Sequence, residues 1–177
     1  MLQAIQQSAR VRTEEVNPFF FPDPVSPYAA QRKAGKRVTL PEVLDRIREM
    51  ETRCSHLIVE GVGGLMVPLG EGYTVADVIK HLSCRVIVVA QNRLGTINHT
   101  LLTVRALELY QPRRIGVVLM ESKKGDASSL SNFGILEDML PGICLWKCPF
   151  LGAKPKSLRS IKLNYKKTKK LLARIVG

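Results

Sequence analysis

Short apolar runs alternate with amphipathic stretches along most of the chain. Four runs rich in β-branched or other apolar residues are short enough for buried strands and lie at 57–60, 85–90, 115–120 and 143–146. Apolar positions at helical spacing predict helices at 2–11, 25–34, from Thr39 to about Met50, 75–82, from the end of the stretch 91–99 to about 110, 128–140 and 163–176. Strands that alternate with helices of this length indicate βαβ units. The pattern therefore predicts an α/β fold with a doubly wound parallel sheet.

Helix boundary signals support several of these helices. Pro27 lies in the first turn of the helix predicted at 25–34, and Gly35 follows it as its C′ residue. Thr39, with Pro41 and Glu42 behind it, has the spacing of a capping box. Before these helices, the proline-rich stretch 16–27 predicts an extended surface loop, because proline disrupts both helices and central strands.

An acid and three glycines follow the first predicted strand. Glu60 ends the apolar run, and Gly61, Gly63 and Gly64 come directly after it. In open α/β sheets ligands bind beyond the carboxyl ends of the strands. A carboxylate there can hold a metal ion, and backbone without side chains can approach a phosphate group closely. The alternative is a strand that ends in an ordinary turn, with Glu60 solvated.

The net charge of +12 is concentrated at one end of the chain. Residues 147–177 hold ten of the 27 Lys and Arg residues and none of the 15 acids, so residues 1–146 carry only +2. We therefore expect a domain at 1–152 and a basic segment at 153–177. A solvated helix face is the simpler interpretation of that segment, so we do not expect nucleic acid as a partner. Binding to nucleic acid or another anionic surface is the alternative.

Other features exclude several classes of protein. No apolar run approaches the roughly 18–20 residues that span a bilayer, and the N-terminus lacks the pattern of a signal peptide. The four cysteines have neither disulfide-scaffold density nor paired zinc-ligand spacing. We therefore expect a cytoplasmic protein that does not enter a membrane.

Three segments together resemble one enzyme family. Glu60-Gly61-Val62-Gly63-Gly64, the stretch 94–99 (Leu-Gly-Thr-Ile-Asn-His), and Asn17-Pro18 with Ser26-Pro27-Tyr28 occur in the order and spacing of dethiobiotin synthetase. The resemblance covers about 1–152 and implies the P-loop NTPase type of α/β fold. It also implies ATP- and Mg²⁺-dependent carboxylation and ring closure of 7,8-diaminopelargonic acid with CO₂, which gives dethiobiotin in biotin biosynthesis.

The resemblance also implies roles for individual residues. Glu60 matches the Mg²⁺-linked carboxylate, and the backbone beside the nucleotide phosphates matches Gly61, Val62 and Gly63. The diamine site matches Ser26 and Pro27. The helix start that reaches across a two-fold homodimer to the substrate carboxylate matches Gly95, Thr96, Ile97 and Asn98. The adenine side matches Met120, Pro149, Phe150 and Leu151, with Met120 in place of an asparagine that reads adenine.

One expected motif does not occur in the chain. The 177 residues contain no G-x-x-x-x-G-K-[ST], so the resemblance implies that the phosphate-binding and substrate-binding lysines lie upstream of Met1. The first strands of the sheet would be missing as well. We expect little or no activity from this chain alone, with the P-loop portion preceding Met1 or carried by a separate chain. The alternative is a non-catalytic remnant or binding module whose basic tail binds a polyanion.

Overall fold

The computed structural model describes residues 12–152 and 157–176, and these form two compact units that divide between Cys84 and Arg85. Each unit has its own core. The helix predicted at 2–11 lies outside the described residues. The domain boundary predicted at 152/153 stays a prediction.

In its described residues the first unit contains four helices and a small antiparallel sheet. Its elements are α1 (Thr13–Val16), α2 (Pro27–Ala34), α3 (Leu40–Glu51), β1 (Pro68–Gly70), β2 (Tyr73–Thr74) and α4 (Val75–Leu82). β1 pairs with β2, and the buried core consists of Leu44, Tyr73 and Val78. The Tyr73 hydroxyl donates a 3.0 Å hydrogen bond to the carbonyl of Val38, which gives this buried ring a polar partner.

Gly35 and Thr39 act as helix caps where the sequence predicts them, and Ser26 is a further cap. The Ser26 hydroxyl accepts a 3.4 Å hydrogen bond from the amide of Ala29, so α2 begins at Pro27 rather than at residue 25. Gly35 ends this helix at φ 61°, in the left-handed region. Thr39 and Glu42 form the predicted capping box, because the Glu42 carboxylate accepts a 2.7 Å bond from the amide of Thr39.

The strand predicted at 57–60 is wrong for the described structure. These residues adopt no regular secondary structure, and Ile58 is 87% exposed and Val59 51% exposed. An apolar run becomes a buried strand only where a neighbouring strand pairs with its backbone groups. Among the described residues no strand pairs with this run, so Glu60 follows an irregular exposed segment.

The second unit is built around a parallel sheet. Its elements are β3 (Arg85–Gln91), α5 (Thr96–Glu108), β4 (Arg114–Met120), a 3₁₀ turn (Ala127–Leu130), α6 (Asn132–Met139), β5 (Cys144–Cys148) and α7 (Leu158–Val176). The strand order is β3–β4–β5, and both pairs are parallel. The predicted α/β fold with a parallel sheet is confirmed.

The core of the second unit lies on β4. Val117 and Leu119 are buried together with Val104 of α5, Leu136 of α6 and Leu140, which follows α6. The prediction that the strand at 85–90 is buried is wrong, since the residues of β3 alternate between exposed and half-buried and Val89 is 65% exposed. The described residues pair β3 with β4 alone, so β3 is an edge strand here.

The helix predicted at 128–140 is interrupted at its start. The Asp126 carboxylate caps the 3₁₀ turn by accepting bonds from the amides of Ser128 and Ser129, at 3.0 and 3.2 Å. The α-helix itself begins only at Asn132. No helix in the described ranges is both long and apolar enough to span a bilayer.

Candidate functional site

The three parallel strands end in register at one edge of the sheet, which we call the carboxyl edge. Gln91 is opposite Met120, and Met120 is opposite Cys148. Backbone bonds continue past the ladder, because the amide of Asn92 donates to the carbonyl of Met120 at 2.8 Å. Of the predicted site residues, this edge brings Met120 close to the start of the 149–151 segment.

Asn92 is the centre of a hydrogen-bond network behind this edge. Its side chain is 1% exposed, and its Nδ2 donates to both carboxylate oxygens of Glu121 at 3.1 Å and to the carbonyl of Ser129 at 2.9 Å. Its Oδ1 accepts a 2.9 Å bond from Nδ2 of Asn132, which is 2% exposed. Both asparagines are therefore satisfied, and they join the ends of β3 and β4 to the start of α6.

Asp126 fixes the loop that leads to α5. One of its carboxylate oxygens accepts a 2.8 Å hydrogen bond from the amide of Leu94. The other binds the hydroxyl and amide of Ser128. These hydrogen bonds favour the charged carboxylate and hold the pKa of Asp126 below its ordinary value. The bond from the Ser128 hydroxyl has the largest effect, and the bond from the amide of Leu94 has the next largest.

The first turn of α5 presents free backbone donors. Gly95 precedes the helix at φ 90°, a conformation that suits glycine, and its carbonyl accepts from the amide of His99 at 3.2 Å. The amides of Ile97 and Asn98 have no acceptor among the described residues. Thr96 is buried, Ile97 is half-buried and Asn98 is exposed. The carboxamide side chain of Asn98 therefore adds a further hydrogen-bond donor at the surface. Such a helix start suits a carboxylate or a phosphate group.

The residues predicted for the adenine side are largely apolar and accessible. Phe150 is 41% exposed, Pro149 is exposed, and Met120 and Leu151 are half-buried. A purine ring could pack on such side chains. Met120 has no strong hydrogen-bond donor or acceptor with which to read the edge of the base.

Glu60 and its glycines lie in the first unit, in the segment that leads into β1. Glu60 and residues 61–64 are all exposed. A Cβ on Gly63 would lie 3.0 Å from Cγ2 of Val67, and Gly63 has φ 72°, so a side chain would be strained there. A Cβ on Gly61 would lie 3.3 Å from Cγ1 of Val75. Gly61 thus allows the backbone to pass closely over the start of α4, and Gly63 allows it to pass closely over Val67.

Glu60 offers a single carboxylate, which suits a metal ion that takes few protein ligands. The described residues contain no group of three His, Cys, Asp or Glu side chains that could hold a metal ion. Mg²⁺ usually takes one or two carboxylates and completes its shell with water and phosphate oxygens. The exposed Glu60 carboxylate could be such a ligand. Ser26 and Pro27 lie elsewhere in this unit as the cap and the first residue of α2.

The structure therefore gathers the predicted residues into two sets, one in each unit. Gly95–Asn98, Met120 and Pro149–Leu151 follow the ends of the sheet strands of the second unit, whereas Ser26–Pro27 and Glu60–Gly63 belong to the first. The sequence prediction missed the four residues behind the carboxyl edge: Asn92, Glu121, Asp126 and Asn132. One signal was available, since Asp126 before two serines is a typical capping pattern.

Comparison with known proteins now identifies the family. A sequence model of the AAA domain matches residues 3–156, which is most of the chain. The chain belongs to this family. The match agrees with the P-loop NTPase type of fold and with the parallel sheet of the second unit.

Individual relatives make the resemblance more specific. The ATP-dependent dethiobiotin synthetase BioD of Bacillus licheniformis is 39% identical over 145 residues, covering 81% of this chain and 59% of the relative. The protein of the same name from Bacillus subtilis strain 168 is 40% identical over 144 residues, covering 81% and 60%. That of Endomicrobium trichonymphae is 38% identical over 142 residues, covering 76% and 66%. The resemblance to dethiobiotin synthetases is confirmed, and the chain spans about 60% of the length of the first two relatives.

Proposed function

We propose that this chain supplies the substrate and adenine sides of an ATP-dependent dethiobiotin synthetase. The observation that carries the proposal is the identity of about 40% to proteins of that name over four-fifths of the chain. The free amides of Ile97 and Asn98 support it, since they suit the carboxylate of 7,8-diaminopelargonic acid. We also place the enzyme in the cytoplasm as a homodimer.

In the proposed reaction, one amine of the diamine takes up CO₂ as a carbamate. ATP transfers its terminal phosphoryl group to a carbamate oxygen, and ADP leaves. The second amine then attacks the carbamoyl carbon, the C–O bond to phosphate breaks, and the ureido ring closes with release of inorganic phosphate. Catalysis of this kind depends mainly on positioning and on charge stabilisation.

The residues of this chain would bind and orient the reactants. Asn98 and the start of α5 would hold the substrate carboxylate, and Met120 with Phe150 would pack on adenine. Gly61 and Gly63 would let the backbone approach the phosphates, where Glu60 would be a carboxylate ligand of Mg²⁺. When bound, Mg²⁺ would neutralise phosphate charge.

The phosphate-binding loop and its lysines would come from polypeptide outside these 177 residues. This part of the proposal rests on the missing G-x-x-x-x-G-K-[ST] motif and on the 60% coverage of the Bacillus subtilis relative. The extra polypeptide would be either continuous with this chain or a separate chain. Because each lost charge-stabilising group commonly costs about 10²–10³-fold in rate, this chain alone should show almost no turnover.

A complementation assay tests the proposal. The chain would be mixed with the P-loop portion of the Bacillus subtilis relative, and dethiobiotin formed from the diamine, bicarbonate, Mg²⁺ and ATP would be measured by mass spectrometry. Turnover that requires both polypeptides is the expected result. Glu60→Gln and Asn98→Ala should each lower it at least tenfold, whereas Glu137→Gln, an exposed carboxylate on α6, should not.

A binding measurement with the diamine distinguishes two reasons for a lack of turnover: the two polypeptides fail to assemble, or the proposed function is wrong. Calorimetry on the isolated chain should detect 7,8-diaminopelargonate, and Asn98→Ala should weaken that binding. If neither turnover nor saturable binding of the diamine occurs, the proposed function is wrong.

A further inference from the structure

The last helix of the chain presents cations without acids. α7 carries seven Lys and Arg residues and no Asp or Glu, and all seven side chains are exposed: Arg159, Lys162, Lys166, Lys167, Lys169, Lys170 and Arg174. The opposite side of the helix packs within the second unit, where Thr168 is 6% exposed and Ile161 and Ile175 are half-buried. The helix is therefore held in place with its basic side outward.

A second basic cluster lies at the end of this helix. The Arg85 guanidinium donates hydrogen bonds to the carbonyls of Val176 and Ile175, at 3.1 and 3.0 Å. These bonds satisfy carbonyls of the last turn and place a cation at the negative end of the helix. They also place the last turn of α7, which includes Arg174, beside the edge of the sheet where the strands begin. We call this the amino edge.

Three arginines meet at the amino edge. Arg85 and Arg114 are paired residues at the starts of β3 and β4, and Arg113 precedes β4 directly. They line an open cavity of about 260 Å³. Like charges on neighbouring strands repel each other. No ion pair among the described residues joins any of the three to a carboxylate.

We infer that α7 and the arginines of the amino edge form a surface that binds the phosphodiester backbone of nucleic acid. Guanidinium groups bind phosphate oxygens through paired hydrogen bonds, so one phosphate in the cavity would relieve the repulsion between the arginines. Lys162, Lys166, Lys170 and Arg174 recur at four-residue intervals and extend the positive surface along about 18 Å of helix. Tyr165, 51% exposed, offers a ring on which a base can stack.

Within the second unit, this surface lies apart from the residues of the proposed active site, and it suits nucleic acid better than lipid. The residues of this unit that are assigned to substrate and adenine lie at the carboxyl edge, at the other ends of the same strands. A helix that lies in a membrane interface inserts its apolar side. In α7 that side is partly packed, since Thr168 is buried and Ile161 and Ile175 are half-buried. Leu172 and Val176 remain 40% and 47% exposed, so a lipid probe is included in the test.

Fluorescence anisotropy with the 177-residue chain tests this inference. The probes are a labelled 20-nucleotide single strand and a labelled 20-base-pair duplex, at 50 and 200 mM salt. We expect binding at low salt that falls by about 10³-fold at the higher salt if about six phosphates are contacted. Vesicles with 30% phosphatidylserine serve as the lipid probe.

Paired substitutions locate the surface. Arg113→Gln with Arg114→Gln, and separately Lys166→Gln with Lys170→Gln, should each weaken binding by about tenfold at 50 mM salt. Lys123→Gln with Lys124→Gln is the matched control, because it removes the same charge from an exposed loop at the carboxyl edge and should change little. Thermal melts verify that each variant folds. If the variant with both arginines replaced does not fold, the variant with both α7 lysines replaced decides whether this surface binds nucleic acid.

Three outcomes would overturn the inference. They are no oligonucleotide binding at 50 mM salt, equal weakening by the control pair, and binding to the anionic vesicles without binding to oligonucleotide. None of these measurements involves ATP or the diamine, so the inference can fail while the proposed function stands, and the reverse also holds.

Discussion

Nδ2 of Asn132 lies 2.9 Å from Oδ1 of Asn92, and the two residues are 2% and 1% exposed. This contact joins the start of α6 to the chain just beyond β3. Because Asn92 also binds Glu121 and Ser129, one buried pair connects three segments around the carboxyl edge. The pair supports the loop that presents the start of α5.

Removing one member of this pair should destabilise the second unit. In Asn132→Leu the side-chain volume is roughly kept, but Oδ1 of Asn92 loses its donor in a buried site. We expect the free energy of unfolding to fall by about 2 kcal/mol, the usual penalty for an unsatisfied buried polar group. Urea denaturation measures it. Asn98→Ala, at an exposed position, should stay within about 0.5 kcal/mol of the parent, and an equal loss there would contradict the role of the pair.

A methyl group should have opposite effects at two glycines of the second unit. A Cβ on Gly116 would lie 2.5 Å from Cζ3 of Trp146, so Gly116→Ala should destabilise by about 1–3 kcal/mol through overpacking. A Cβ on Gly134 meets nothing within 4 Å, and this glycine lies in α6. Gly134→Ala should therefore stabilise by about 0.5–1 kcal/mol. Thermal melts of both variants provide the comparison, and effects of the same sign would contradict the packing around Trp146.

The Asp126 carboxylate should make the α5 loop sensitive to acid. Its pKa in the folded state is lowered, chiefly by the Ser128 hydroxyl and then by the amide of Leu94. A lowered folded pKa means that the stabilisation is present above the unfolded value of about 3.9 and is lost as the pH falls through the folded pKa. Carbon-13 NMR of the carboxyl should show a titration midpoint below 3.9. Ser128→Ala should raise that midpoint, and an unchanged midpoint would exclude the hydroxyl as the main cause.

The buried hydroxyl of Thr100 should be dispensable. Thr100 is 1% exposed, and its Oγ1 has no hydrogen-bond partner among the described residues. Replacing an unsatisfied buried hydroxyl with a methyl group removes a desolvation penalty, so Thr100→Val should raise the free energy of unfolding by about 1 kcal/mol. Thr103→Val is the control, because the Thr103 hydroxyl donates a hydrogen bond to the carbonyl of His99. Its removal should not raise the free energy of unfolding. A loss of stability in Thr100→Val would indicate that the hydroxyl is satisfied.

Local signals in the sequence predicted most of the described helices well. Thr39 and Gly35 cap where expected, because capping depends on residues within one turn. The 57–60 run shows the limit, since its apolar pattern predicted a strand but strand formation also needs a neighbour. The contacts of Asn92 were equally beyond prediction, because its partners lie 29 to 40 residues further along the chain.

The parallel ladder also has a consequence for synthesis on the ribosome. Arg85 pairs with Arg114, so β3 must wait for about 29 further residues before its partner begins to emerge. At translation rates of about 5–20 residues per second that delay lasts a few seconds. Throughout it the nascent chain presents the apolar stretch 86–90 without a strand to cover it. This interval is when chaperone engagement should matter most for the yield of folded protein.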